Sequence, residues 1–581
     1  MGFHPPAWAP RLTDADIPDD ICLADFLFDD RYRPRKCADS PSPFVDSVDG
    51  SGHGVRETRQ RIDWLAAGLA SQLSIKDVTG DHWSRVVSLF AVNNIHTPVL
   101  AWAIHRLNGV VAPVNVAFTA SELAYQLKDS AARCIFTDPS HLDIAREAAE
   151  QAGIPDFKVF LIPVPGDKTR ITGGVQSLLS VEDLVNAGGR LPPLPQAKWQ
   201  KGRGRTQPAY LCYSSGTSGP PKGVMISHRN IIANVLQVTL LESSFRPASH
   251  QDIILGVLPQ SHIYSIIMTT HLPVFRGDTV VTMAKFELIN LVTAVNRFRM
   301  SLLYVVPPIL IALTKQADLA NNASFFDMPS VKRMFCGAAP LSEELTSQIR
   351  QRYPGVLLGQ GYGMTEASTV ISQHPEEVYD GSSGCIVPGL EVRLIDSDGT
   401  DVEETDKRGE IWVKGPNVAM GYYKNEKATR DTFGGGWLKS GDVGEFRLHP
   451  KTGDAHLFIV DRVKELIKVS GFQVAPAELE GHLLAHPLVA DCAVIPVPNH
   501  RSGEVPKALV VLSRDTNLSL ALAEQQILDW VAQHKSKHKQ LRGGVEFVPE
   551  IPKSPSGKIL RRLLRDQHKT PSVQMQPMAR L

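Results

Sequence analysis

Val86-Val87-Ser88-Leu89-Phe90-Ala91-Val92, then His96–Leu107, then Val110–Val114, is the stretch that decides the fold class. The first and last runs are short, apolar and β-branched, which predicts strands. The middle run has helical spacing. Thr119-Ala120-Ser121-Glu122 has the form of a capping box opening a further helix. Cys134–Thr137 and Val159–Ile162 read as two more strands. Strands separated by helices need crossover connections, so the sequence predicts parallel sheets packed with helices, an α/β fold.

Working outward, residues 1–50 are rich in Pro and Asp and read as a loose N-terminal arm. Residues 51–460 form the expected large domain, with a β-subdomain where Gly409–Ser440 breaks into short strands. A change of style near Asp461 predicts a small α+β domain over 461–566, followed by a flexible tail over 567–581. A chain of 581 residues exceeds one ordinary core, in keeping with that division.

Lys plus Arg and Asp plus Glu both number 61, so charge gives no reason to expect nucleic acid or an anionic membrane as partner. The seven cysteines are scattered and none forms a Cys-x-x-Cys pair, which predicts reduced thiols rather than a zinc ribbon or disulfide frame. The N-terminus lacks the apolar run of a signal peptide. The best apolar stretch, Leu302–Leu313, contains Pro307 and Pro308 and is too short for a membrane span.

The chemistry begins at Tyr213-Ser214-Ser215-Gly216-Thr217-Ser218-Gly219-Pro220-Pro221-Lys222-Gly223. Its glycines let backbone N–H groups approach anionic oxygens. Its hydroxyls add donors and Lys222 adds positive charge. The spacing is not that of a P-loop, because Lys222 lies between Pro221 and Gly223. The segment follows the strand Ala209–Tyr213 and is expected to lead directly into a helix beginning near Ser227.

These residues resemble the adenylate-forming superfamily of acyl-CoA synthetases, adenylation domains and beetle luciferases. They are most similar to 4-coumarate:CoA ligases and fungal acyl-CoA ligases. The resemblance runs from about residue 60 to about residue 565 and carries further motifs in the family's order. By it, ATP, Mg²⁺ and coenzyme A are implied. Ser214, Ser215, Gly216, Thr217, Ser218, Gly219 and Lys222 would hold phosphates. In Gln360-Gly361-Tyr362-Gly363-Met364-Thr365-Glu366, Gln360, Gly361 and Tyr362 would face adenine, Thr365 the α-phosphate, and Glu366 with Thr217 the metal. Asp442, in Ser440-Gly441-Asp442, suits the ribose diol.

Asp461 is then the expected hinge. Arg462 would contact ribose, Lys464 and Lys468 the acyl-adenylate, and Ser470 and Gly471 the CoA arm. Ser470 stands where coumarate ligases tend to carry Lys. Pro555-Ser556-Gly557-Lys558 resembles the mobile catalytic loop, with Lys558 stabilising charge at the reacting carboxylate. His262 in Leu258–Tyr264 is expected beside the substrate carboxylate or the pantetheine path, and Lys285 beside CoA. Tyr264, Ala338, Gly361 and Gln373 are the expected acid pocket. Gln373 and Ser368-Thr369 replace residues usual in coumarate ligases and suggest a more polar or reshaped pocket.

The resemblance implies an acid–thiol ligase that forms acyl-AMP and pyrophosphate, then acyl-CoA. An aryl, phenylpropanoid-like or medium-chain acid suits it. The alternative is a stand-alone adenylating enzyme that loads a carrier protein; a catalytically inert binding protein is the third reading. No Asp for an α-amine stands in His262-Ile263-Tyr264-Ser265, which favours an acid without one. The final Ala579-Arg580-Leu581 matches a peroxisomal address and an import receptor as partner.

Overall fold

The computed structural model describes residues 2–75, 80–164, 178–195, 197–214, 221–319, 323–375, 381–470, 472–513, 518–554 and 557–568. The chain divides into two compact units, Met1–Ile459 and Val460–Leu581.

The large unit contains three sheets. In the first, strands follow the order Gly421–Tyr422, Lys222–Ser227, Pro208–Ser214, Val110–Pro113, Val86–Phe90, Cys134–Thr137, Val159–Leu161. Its centre is parallel, and its two leading pairs are antiparallel. Val86–Phe90 is buried along its whole length, as a strand covered by helices on both faces must be. The capping box forms: Thr119 N–H donates to Glu122 at 2.8 Å, and Glu122 N–H returns a bond to Thr119 Oγ1 at 3.4 Å.

The second sheet runs Phe44–Asp46, Thr279–Thr282, Ile253–Gly256, Leu302–Val305, Arg333–Cys336, Leu357–Met364, Thr369–Gln373, Cys385–Ile386. It is parallel up to Leu357–Met364 and antiparallel beyond. The third is a five-stranded β-subdomain built around Glu391–Ile395, Arg408–Lys414 and Leu438–Leu448. The small unit has its own sheet, centred on the antiparallel pair Val489–Asn499 and Gly503–Leu512. The helices Pro476–Leu484 and Leu520–His534 contribute Leu479, Leu483, Ile527 and Val531 to its core.

Two expectations are corrected. The first fifty residues are not a loose arm. Leu23, Phe26 and Leu27 are fully buried, Phe26 stacks on Phe275 at 4.9 Å, and Phe44–Asp46 is an edge strand of the second sheet. Burying several large side chains outweighs the loop tendency of the surrounding Asp and Pro. The phosphate segment does not pass straight into a helix. It joins two antiparallel strands, with Ser214 opposite Lys222, and the helix His228–Glu242 begins only after the second of them. Val224 and Ile226 drive that second strand, since both are fully buried on the sheet. Ser440-Gly441-Asp442 lies inside the strand Leu438–Leu448, where Gly441 takes a φ of 73° beside a register shift in the pairing with Arg408–Lys414.

Candidate active site

Ser214, Glu366 and Lys222 come together around a residue the sequence did not mark, Tyr422. Ser214 ends one strand of the phosphate hairpin and Lys222 begins the other. Residues 215–220, including Ser215, Gly216, Thr217, Ser218 and Gly219, lie outside the described residues. Ser214 Oγ donates to Glu366 Oε1 at 3.0 Å, and Tyr422 Oη donates to the same oxygen at 2.9 Å. Lys222 Nζ sits 5.0 Å from the centroid of the Tyr422 ring. Glu366 is 7% exposed and forms no ion pair among the described residues. A buried carboxylate with hydrogen bonds but no cation is costly unless a ligand supplies the positive charge. Below the hairpin, Tyr213 Oη donates to Asp129 at 2.6 Å.

The nucleoside side of the site is also tied together. Tyr362, at the end of Leu357–Met364, donates its hydroxyl to Asp442 Oδ2 at 2.7 Å. Asp442 N–H is held by Ser440 Oγ at 3.0 Å. Thr365 opens the short helical turn Thr365–Ala367 that carries Glu366. Gln360 needs a correction. Its Oε1 accepts from Leu341 N–H at 2.7 Å, and its Nε2 donates to Ser382 O and Ser383 Oγ at 3.0 and 3.1 Å. Both donors of the amide are in use, so Gln360 braces the strand rather than offering its side chain to adenine.

His262 caps the helix Ile263–Ser265, accepting from Tyr264 N–H on Nδ1 at 3.2 Å. Burial pushes its pKa down to about 4. The ring is therefore neutral at pH 7, with its proton on Nε2 as a donor. The helix widens into a π-segment over Ile266–His271, just before Pro273, which has no N–H to continue the α-pattern.

Tyr264 Oη donates to Phe335 O at 3.1 Å, and its ring meets Tyr304 edge-on at 6.3 Å. Tyr304 in turn meets Phe335 edge-on at 5.8 Å. A Cβ at Gly337 would lie 3.0 Å from the Tyr264 ring, and one at Gly361 would lie 2.9 Å from the Phe335 ring. Both glycines therefore admit flat rings. Ala338 is exposed at a left-handed φ of 67°. Gln373, expected to make the pocket polar, is fully buried with its amide donating to Glu242 at 3.3 Å. Its Nε2 thus serves a buried charge pair, Glu242 with Arg276, while its Oε1 has no hydrogen-bond partner among the described residues. Thr369, φ 109°, uses its hydroxyl to hold Ile263 O at 2.9 Å.

Lys285 is exposed ahead of the helix Leu288–Phe298. The remaining expected residues belong to the small unit. Asp461 accepts from Arg462 N–H at 2.7 Å and Ala477 N–H at 3.1 Å; burial lifts its pKa to about 6 against the pull of Arg561. Arg462 stands 3.9 Å from Glu465. Lys464, Lys468 and Ser470 are exposed, and Ser470 takes a φ of 49°. Lys558 follows Gly557, φ 81°, on a loop closed by Ser554 N–H to Lys558 O at 2.8 Å and Lys558 N–H to Ser554 Oγ at 3.1 Å. Gly471, Pro555, Ser556 and Ala579-Arg580-Leu581 lie outside the described residues.

Tyr422 is the site residue that sequence reasoning missed, and Tyr304 and Phe335 are the core rings packed around Tyr264. The last two sit in buried strands whose apolar runs look like ordinary core. For Tyr422 the one usable sign was its place in Gly421-Tyr422-Tyr423, between glycine and an aromatic.

Comparison with known proteins matches this arrangement to a family. The family described as AMP-binding enzyme matches residues 40–423, and the AMP-binding enzyme C-terminal domain matches residues 478–558. This chain belongs to the AMP-binding enzyme family. It is 36% identical over 571 residues to the acyl-CoA ligase easD of Emericella nidulans, covering 97% of this chain and 100% of that one. It is 35% identical over 529 residues to the 4-coumarate–CoA ligase-like 2 of Arabidopsis thaliana, covering 90% and 87%. Among solved structures, ATP-bound MatB from Rhodopseudomonas palustris aligns with a TM-score of 0.77 at 25% identity, over 95% of this chain and 99% of that one. The anthranilate CoA ligase AuaEII, in complex with anthranoyl-AMP, shares the fold with a TM-score of 0.79 at 23% identity, over 96% and 99%.

Proposed function

We propose that this chain is an ATP-dependent acyl-CoA ligase acting on a carboxylic acid with a flat, aryl-type body. The observation that carries it is the Ser214–Glu366–Tyr422–Lys222 arrangement, in which, among the described residues, Glu366 has no cation and Lys222 has no carboxylate. Such a pair suits a nucleoside triphosphate with its metal better than either residue suits the other.

In the first half-reaction a substrate carboxylate oxygen attacks the α-phosphorus of ATP, the bond to the β-phosphate oxygen breaks, and pyrophosphate leaves. Tyr362 and Asp442 hold the nucleoside, Lys222 and the hairpin hold phosphates, and Thr365 donates to the α-phosphate. Lys558 stabilises the charge that develops during attack. His262 offers its Nε2–H to the substrate carboxylate. In the second half-reaction the CoA thiol, losing its proton to solvent, attacks the acyl carbonyl and AMP leaves. Lys285, Lys468, Ser470 and Gly471 are the proposed contacts to CoA and adenylate.

Glu366 fits a divalent cation, since Oε1 is occupied by two hydroxyl donors while Oε2 has no hydrogen-bond partner among the described residues. Mg²⁺ there, with Thr217, would neutralise phosphate charge. Tyr264 packs over Gly337 and Phe335 over Gly361, and an aryl acid is the proposed match to this aromatic surrounding. The printed names of the relatives, acyl-CoA ligases and a 4-coumarate–CoA ligase-like protein, agree with CoA as acceptor.

The test supplies the full chain with ATP, CoA and a panel of aryl, medium-chain and dicarboxylic acids. The expected products are AMP, pyrophosphate and an acyl-CoA detected by mass, with aryl acids fastest. Release of ADP, or ATP hydrolysis independent of the acid, would overturn the assignment.

A further inference from the structure

Tyr422 separates two opposite charges that would otherwise attract each other. Its hydroxyl binds Glu366 on one side and its ring face meets Lys222 on the other, and no ion pair joins Lys222 to Glu366. The side chain has little freedom. Gly421 and Tyr422 pair antiparallel with Met225 and Val224, on the strand that begins at Lys222. Tyr422 N–H donates to Thr429 Oγ1 at 2.9 Å, the next residue's N–H donates to Gly223 O at 2.8 Å, and Phe433 meets the ring edge-on at 5.5 Å. The tyrosine is thus built into the phosphate hairpin, although the sequence between them is long.

The hydrogen bonds are uneven in an informative way. Ser214 and Tyr422 both donate to Oε1 of Glu366, and neither donates to Oε2.

We infer that Tyr422 is a positioning residue for the metal-bound nucleotide: it commits one oxygen of Glu366 to the protein, leaves the other for the cation, and holds Lys222 apart so that lysine and cation engage the triphosphate rather than Glu366 and Lys222 engaging each other. A cation over an aromatic face is attracted by the ring quadrupole, enough to orient an ammonium without immobilising it. This inference rests on the ATP-dependent reading of the site.

The experiment measures binding of α,β-methylene-ATP to the full chain by calorimetry, once with Mg²⁺ and once with EDTA. Tyr422→Phe keeps the ring and loses the hydroxyl. It is expected to weaken binding about 10-fold with Mg²⁺ but less than about 2-fold with EDTA, the size of one hydrogen bond to a charged group. Tyr422→Leu, which also removes the ring, is expected to weaken binding in both arms. Binding in EDTA by Tyr422→Phe doubles as the check that the variant is folded. Equal affinity of Tyr422→Phe and the parent in both arms, or an equal loss in both, would overturn the positioning role alone. Failure of the parent protein to bind the analogue in either arm would overturn the ATP-dependent reading and the inference with it.

Discussion

Glu366 in the large unit and Glu465 with Glu480 in the small unit are buried to the same degree, 7%, 6% and 6% exposed. Their partners are opposite in kind. The two small-unit carboxylates share the guanidinium of Arg561, which bonds both and lies near Asp461 as well. Among the described residues, Glu366 receives two hydroxyl donors and no charge. A carboxylate already neutralised by the protein belongs to a joint that must survive without ligand. A carboxylate left without a cation is stable mainly when something arrives to share it. The same contrast separates Lys222, which rests on a ring, from Lys553, which is paired to Asp491 at 2.7 Å.

The sharpest way to break this comparison is to remove charge from each side. Arg561→Leu removes the guanidinium shared by Glu465 and Glu480 and leaves Glu465 only the 3.9 Å contact to Arg462, so the small unit should lose about 3–5 kcal/mol of stability, read as an earlier urea transition in the full chain. An unchanged transition would mean that the joint does not depend on that guanidinium. Next in size, Lys558→Ala should slow adenylate formation by about 10²–10³-fold while leaving thioester formation from a supplied acyl-adenylate within a few-fold of normal. Equal loss of both halves would deny Lys558 its separate role.

Asp461 offers a pH-dependent version of the test. Its folded pKa, about 6, lies above the ordinary 3.8, so the folded state favours the protonated form. The stability this contributes is fully present below about pH 4 and is lost as the pH rises through 6. The change is on the order of 2–3 kcal/mol. Asp461→Asn, which mimics the protonated side chain, should flatten the urea midpoint against pH over that window. A slope unchanged by the substitution would place the titration elsewhere. The smallest effect is expected in the acid pocket. Thr369→Val removes the hydroxyl that holds Ile263 O and should cut kcat/KM for the acid about 3–10-fold, with KM for ATP unchanged. A shift in the ATP constant instead would relocate that residue's influence to the nucleotide.

The same contrast explains what the sequence disclosed. Val86–Phe90, Cys134–Thr137 and the Thr119 capping box were legible because periodicity and local hydrogen bonding determine them. Ser214, Glu366 and Lys222 were legible as residue types suited to phosphate and metal, and the fold does gather them. The strand Lys222–Ser227 was missed because Lys222 and Gly223 look like loop, and only pairing with Pro208–Ser214 makes the segment extended. The packing of Leu23–Phe28 was missed because neighbouring Asp and Pro dominated the reading. Gln360 and Gln373 were misjudged because an amide's partners, here Ser382 and Glu242, lie on other elements. Tyr422 had only the weak local sign of Gly421-Tyr422-Tyr423, since its meaning comes from a strand pairing with a hairpin far back in the chain.

The most direct test of the central claim is acid-dependent exchange of labelled pyrophosphate into ATP, without CoA, by the parent protein and by Glu366→Gln. The account expects exchange by the parent with at least one aryl acid. It expects a loss of about 10²-fold in Glu366→Gln, with an unchanged or slightly raised melting temperature, because the uncompensated charge serves the ligand and not the fold. Exchange that survives in Glu366→Gln, or a variant that simply unfolds, would contradict it.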